Sequence, residues 1–110
     1  MADFEELKLR LREFAEFRNW QKLHDPKNLA MAIASEAGEL LAELRWLNTD
    51  ESAPSNLSIE QVAAIADEMA DVLIFLVRMA DVMNVDLVDA ALAKTQRNKA
   101  RFPASRQGAK

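Results

Sequence analysis

Residues 58–83 read SIEQVAAIADEMADVLIFLVRMADVM. No Gly or Pro interrupts this stretch, and its opening carries a start signal. Ser58 followed three residues later by Gln61 has the spacing of a capping box, in which side chain and backbone satisfy each other's free donors. The pattern predicts a helix from Ser58 to about Met83. Its C-terminal half, VLIFLVRMADVM, is apolar on nearly every side, and a helix apolar all round is buried all round. A chain of 110 residues rarely encloses a helix on every face by itself. The stretch therefore implies contact with another subunit. Its longest strictly apolar run, Val72–Val77, is too short to span a membrane.

On the N-terminal side, the polar segment NTDESAPSNL (residues 48–57) is a loop. Before it, Leu29, Ile33, Ala37, Leu40 and Leu44 form an apolar stripe at helical spacing. That stripe predicts a second helix from about Pro26 to Leu47, with Pro26 tolerated in the first turn. The segment His24-Asp25-Pro26 breaks the chain, because Pro disfavours helix at the residue before it. A first helix is predicted from about Asp3 to Lys22, carrying the stripe Phe4, Leu7, Leu11 and Phe14, with Asp3 and Glu6 spaced as a capping box. A fourth runs from near Asp86 to just before Pro103. The fold expected is all-α, a four-helix bundle formed by one domain over residues 1–104, with a frayed tail over 105–110. The N-terminus, MADFEELKLR, has no apolar core of the kind a signal peptide needs, so a cytoplasmic location is expected.

Composition excludes several chemistries. There is no Cys and one His, so disulfides, thiolate zinc sites, a cysteine nucleophile and a multi-histidine metal site within the chain are ruled out. The net charge of −4 weighs against nucleic acid as a partner, and no membrane partner is expected. That total hides a segregation. Residues 36–71 hold nine acids and one base, whereas residues 94–110 hold six bases and no acid.

Glu36 and Glu39 are three apart on the second helix, as are Glu68 and Asp71 on the third. Residues at i and i+3 share a helical face, and each pair lies inside an apolar stretch. One Glu-x-x-Glu is usually a solvated face. Two like-charged pairs on antiparallel helices would repel and lose hydration, which calls for a cation. Hard divalent ions take oxygen ligands. Di-iron bundles use Glu-x-x-His, and no His follows a Glu by three here, so Mg²⁺ or Mn²⁺ is favoured and phosphoryl chemistry with it. Lys94, Asn98 and Arg101 fall on one face of the fourth helix, suited to a polyphosphate, though cations also favour a helix C-terminus on their own account. Trp20 and Trp46 stack well on nucleobases but equally serve packing. Phe75, one turn after Asp71, suits the core or a base pocket.

Taken together, these residues resemble the MazG-like, all-α nucleotide pyrophosphohydrolases. Ser35-Glu36-Ala37-Gly38-Glu39 with Glu68-Met69-Ala70-Asp71 looks like the metal-binding signature of that family. The dCTP pyrophosphatase branch is the most similar: Trp20, His24, Pro26 and Asn28; Glu36 to Trp46; Asp67 to Ile74; and Lys94 through Asn98 and Arg101 to Phe102-Pro103. The likeness covers about residues 10–104. It implies hydrolysis of (deoxy)nucleoside triphosphates at the α–β bond to a monophosphate and pyrophosphate. It further implies Mg²⁺ held by Glu36, Glu39, Glu68 and Asp71; a carboxylate not fully engaged by the metal, Glu36 or Glu39, is expected to act as general base. By the same resemblance, Trp20, Trp46 and Phe75 enclose the base, Lys94, Asn98 and Arg101 approach phosphates or sugar, and the chain assembles as a dimer or a tetramer.

Two positions depart from the family pattern. Ser35 replaces the first of two adjacent glutamates, as in the dCTP branch. Leu11 stands where that branch carries a polar base-recognition residue, and Leu cannot hydrogen-bond a base edge, which argues against strict cytosine preference. Other readings are a pyrophosphohydrolase of the same fold acting on dUTP, dATP or phosphoribosyl-ATP, and a non-enzymatic helical oligomer or adaptor.

Overall fold

The computed structural model describes residues 3–104. They form four α-helices and no strand: α1 (Phe4–Phe17), α2 (Pro26–Leu44), α3 (Ile59–Val82) and α4 (Leu87–Arg101). Short 3-10 turns at Gln21–Leu23 and Pro54–Asn56 lie in the two longer connections. The all-α expectation holds. The tail expected over 105–110 lies outside the described residues.

Each helix starts on a side-chain cap. Asp3, Asp25, Ser58 and Asp86 accept from the backbone N–H three residues on, and each such bond contributes about 1 kcal/mol. At Ser58 the return bond is present too, from the Ser58 N–H to Gln61 Oε1 at 2.8 Å, so the capping box read from sequence is closed.

The ends of α1 and α3 share one device. Asn19 (φ 56°) and Asn84 (φ 55°) are in the left-handed conformation, which Asn tolerates better than most residues. The Trp20 N–H then reaches back to the Ala15 carbonyl at 2.9 Å, and Asn19 N–H to Glu16 at 3.1 Å. Val85 to Ala80 and Asn84 to Asp81 repeat the pattern at 2.8 and 3.1 Å. Both are Schellman ends. Helix α1 therefore stops at Phe17, short of the expected Lys22, because Asn19 reverses the backbone. Helix α2 closes at Leu44 rather than Leu47, the chain turning at Arg45–Leu47.

Helices α2 and α3 pack against each other as a hairpin and α1 lies along α3, while α4 has sparse contact with the rest. The radius of gyration is 17.3 Å, against about 13 Å for a compact chain of this length. Among the described residues, Ala15, Leu29 and Val77 are the buried apolar ones, and Arg78 is buried as well. Leu73, Leu76, Val82 and Met83 of α3 and Val88 and Leu92 of α4 stay exposed in the single chain. The all-round burial expected for α3 is not achieved by these helices alone.

Candidate active site

The hairpin brings carboxylates from two helices together. Glu36 of α2 and Glu68 and Asp71 of α3 each offer an oxygen within 4.8 Å of the others, and all three are half-buried. The i, i+3 spacing sets Glu68 and Asp71 on one face of α3. Glu39 is exposed and outside this tight triplet, but its charge is felt there. Burial pushes the Glu68 carboxyl up from its ordinary value, and the charges of Glu36, Asp71 and Glu39 push it further. Glu68 Oε2 is buried without a hydrogen-bond partner. Buried polar atoms are nearly always satisfied, so an orphaned oxygen inside a carboxylate cluster has the chemistry of a ligand awaiting a cation. An all-oxygen donor set suits a hard divalent ion.

Beside the cluster lies a cavity of about 280 Å³. Leu11, Phe14 and Ala15 of α1, Trp20, and Ile74 and Phe75 of α3 make its apolar wall. Asp71, His24 and Arg78 form its polar side. Asp71 thus belongs to both the cavity and the carboxylate triplet. Trp20 meets Phe14 edge to face, with centroids 5.6 Å apart, a favourable aromatic geometry. Its position follows from the Schellman end of α1.

A second ionic group backs the cavity. Arg12 Nε and Nη2 donate to the two oxygens of Asp81 at 3.0 and 2.7 Å. Arg78 Nη1 donates to Asp81 at 3.2 Å, and Arg78 Nε donates to His24 Nδ1 at 3.1 Å. The hydrogen bond and charge of Arg12 hold the Asp81 carboxyl below its usual range against the opposing effect of burial.

Of the residues singled out from sequence, the structure gathers Glu36, Glu68, Asp71, Trp20 and Phe75. Trp46 is 84% exposed at the end of α2 and is not part of the cavity wall, its neighbour Arg45 lying over its ring at 5.4 Å. Lys94 and Arg101 are exposed and Asn98 half-buried on α4, and none of the three lines the cavity. Sequence reasoning passed over Arg12, Arg78, Asp81 and His24 as site residues. The signal for two of them was available: an Arg and an Asp three apart inside the apolar run of α3 need partners.

Among the described residues, four helices without strands carry an acidic cluster that could hold a cation and that shares Asp71 with an aromatic cavity, the make-up of a class of all-α proteins. The comparisons are specific within it. The model for the MazG nucleotide pyrophosphohydrolase domain matches residues 24–105, and the chain belongs to that family. It is 41% identical over 92 residues to human dCTP pyrophosphatase 1 and 40% identical over 91 residues to the cattle protein of the same name. These alignments cover 84% and 83% of this chain but 54% of each relative, so the chain spans about half the length of the curated relatives it matches. A crystal structure of a pyrophosphatase from Archaeoglobus fulgidus superposes with a TM-score of 0.84 at 35% identity, covering 94% of both chains. MazG-family pyrophosphatases are generally dependent on divalent metal, which agrees with the carboxylate cluster. No helix among the described residues is long and apolar enough to cross a membrane.

Proposed function

We propose that this chain hydrolyses (deoxy)nucleoside triphosphates at the α–β phosphate bond, releasing a monophosphate and pyrophosphate, with dCTP or a modified dCTP as the favoured substrate. The observation that carries this reading is the meeting of two features at Asp71: a carboxylate triplet with an orphaned buried oxygen, and an aromatic cavity. A nucleotide has the same two parts, an anionic chain that needs a cation and a flat base that needs apolar walls. Membership of the MazG family and the similarity to dCTP pyrophosphatases support the same assignment.

Glu36, Glu68 and Asp71, with Glu39 one turn away, are the residues that would hold Mg²⁺, or Mn²⁺ as a substitute. A bound divalent ion supplies charge neutralisation of the phosphates and an acidified water. Glu39, outside the tight triplet, is the carboxylate free to accept a proton from the attacking water. Trp20 and Phe75 flank the base. Lys94, Asn98 and Arg101 supply cationic and polar contacts to the phosphates as pyrophosphate leaves. Helix α4 is sparsely held in the single chain, so these residues serve a site completed in a homo-oligomer, a dimer or a tetramer. The exposed apolar residues of α3 and α4 support that assembly, since exposed apolar patches mark association surfaces.

The test is to incubate the protein with Mg²⁺ and a panel of dNTPs, NTPs, 5-substituted dCTPs and phosphoribosyl-ATP, and to separate the products. Monophosphate plus pyrophosphate is expected, with cytosine nucleotides turned over fastest. Diphosphate plus orthophosphate, or no turnover of any member, would overturn the reading.

A further inference from the structure

Arg78 is 5% exposed and sits in the most apolar part of α3. An Arg so placed needs its charge met by a partner, and half of its arrangement does that. Nη1 binds Asp81, which Arg12 grips from α1 with two bonds. The other half has a different effect. Arg78 Nε is held against His24 Nδ1 at 3.1 Å. Guanidinium nitrogens only donate and are always protonated. Nδ1 must therefore be the unprotonated, accepting nitrogen. A neutral imidazole with Nδ1 unprotonated carries its proton on Nε2.

His24 and Arg78 both line the aromatic cavity, and the His24 ring lies 6.2 Å from the Trp20 ring. Burial, and then the charge of Arg78, lowers the His24 pKa, which keeps the ring neutral near pH 7. The first-helix side chains facing this cavity are Leu11, Phe14 and Ala15, none of which offers a hydrogen bond. Asp71 on the polar side is engaged in the carboxylate cluster.

We propose that His24 is a base-recognition residue, its Nε2–H donating to an acceptor on the ring edge of the substrate base, a carbonyl oxygen or an unprotonated ring nitrogen. Arg78 is the positioning residue that fixes the tautomer. Arg12 and Asp81 hold Arg78 in place, tying α1, α3 and the connection before α2 into one support. The proposal rests on the nucleotide reading above. It assigns recognition to a residue that discriminates a base with an acceptor edge from a ring that merely stacks. Sites that hydrogen-bond a ligand group reject the analogue lacking it more strongly than apolar pockets reject an extra methyl.

The chain has a single His, so protein labelled with ¹⁵N-histidine gives one pair of imidazole signals. In free protein, Nδ1 is expected to be pyridine-like and Nε2 pyrrole-like. Adding a non-hydrolysable dCTP analogue with Mg²⁺ should shift the Nε2–H resonance. Arg78→Lys, which removes the Nε donor, should mix the two tautomers. In kinetics, the ratio of kcat/KM for dCTP to kcat/KM for deoxyribose triphosphate without a base should fall about 10-fold in His24→Ala. The loss should appear in KM rather than kcat, and His24→Gln, which retains an N–H at the same reach, should restore most of it. A protonated Nδ1, an Nε2–H unmoved by nucleotide, or a ratio unchanged in His24→Ala would overturn the proposal. Absence of turnover with any triphosphate would overturn the functional reading and base recognition with it. The tautomer of the free protein separately reports whether Arg78 fixes the ring.

Discussion

Helix α3 carries two groups of ionised residues about two to three turns apart, and they are opposites. Around Glu68 and Asp71 like charges are gathered, one buried oxygen has no partner, and the carboxyl is pushed up. Around Arg78 and Asp81 every contact is donor to acceptor, and the carboxyl is pulled down. Both sit in the same helix, and Glu68, Asp71 and Asp81 are all half-buried, so burial alone does not separate them. What differs is whether the chain supplies the counter-charge. The paired group is complete and holds the structure. The other group gathers like charges without a counter-charge from the chain, which agrees with the divalent-metal dependence general to the MazG family.

That contrast is most directly broken or confirmed at Glu68. Replacing Glu68 by Gln should cut turnover at least about 100-fold, beyond the usual loss for an outer-shell partner of a metal ligand; Mg²⁺ is expected to raise the Tm of the wild type, and the variant should lose that rise. In chelator, the same variant should melt higher than wild type, because a source of repulsion is gone. A lower Tm in chelator would mean that the carboxylates stabilise the free chain, and the comparison would fail. Asp81→Asn should do the reverse. It leaves buried Arg78 without its anion and should cost about 3 kcal/mol, a drop in Tm of roughly 10–20 °C, with or without Mg²⁺.

Acid should separate the two groups by sign. The Glu68 pKa in the folded chain is raised above its ordinary 4.5. Its contribution to stability is therefore full below that value and is lost as pH rises through the raised one. The Asp81 pKa is depressed below its ordinary 3.8. Its contribution is present above that value and is lost as pH falls through the lower one. In chelator, the stability difference between wild type and E68Q should shrink on acidification toward pH 4.5, and that between wild type and D81N should shrink only below about pH 4. Denaturant melts across pH 3–7 would measure both. The smallest effect is expected at Gly38, between Glu36 and Glu39. A Cβ there meets nothing within 4 Å, so Gly38→Ala should stabilise the isolated chain by about 0.5–1 kcal/mol. Impaired turnover in G38A despite that gain would show that a substrate or a second chain comes close to this face.

The helices were legible because their signals are local. Ser58 with Gln61 marks the start of α3, and Asp25-Pro26 marks the start of α2. The end of α1 was misplaced because nothing at residues 18–19 is Gly or Pro, and Asn19 does the reversing instead. From i, i+3 spacing on two helices, a local property of a helical face, Glu36, Glu39, Glu68 and Asp71 were expected together; the structure brings Glu36, Glu68 and Asp71 close and leaves Glu39 exposed outside the triplet. The cavity was only partly legible. Its walls come from α1, the connection and α3, and the bond from Arg78 to His24 spans 54 positions of sequence. No spacing rule reaches across such a gap. The role expected of Trp46 rests on the family resemblance, and the single chain leaves that residue in solvent.

The stop of α1 has one more effect. Trp20 contributes its ring to the cavity and its backbone N–H to the bond that closes the helix. The wall and the helix end are therefore one object. Each residue added to or removed from α1 would turn everything after it by about 100° and carry the indole off its place. Side chains on the outer face of α1 are free to vary, but its length is not, and the reach of the binding wall is in effect counted out in helical turns from Asp3.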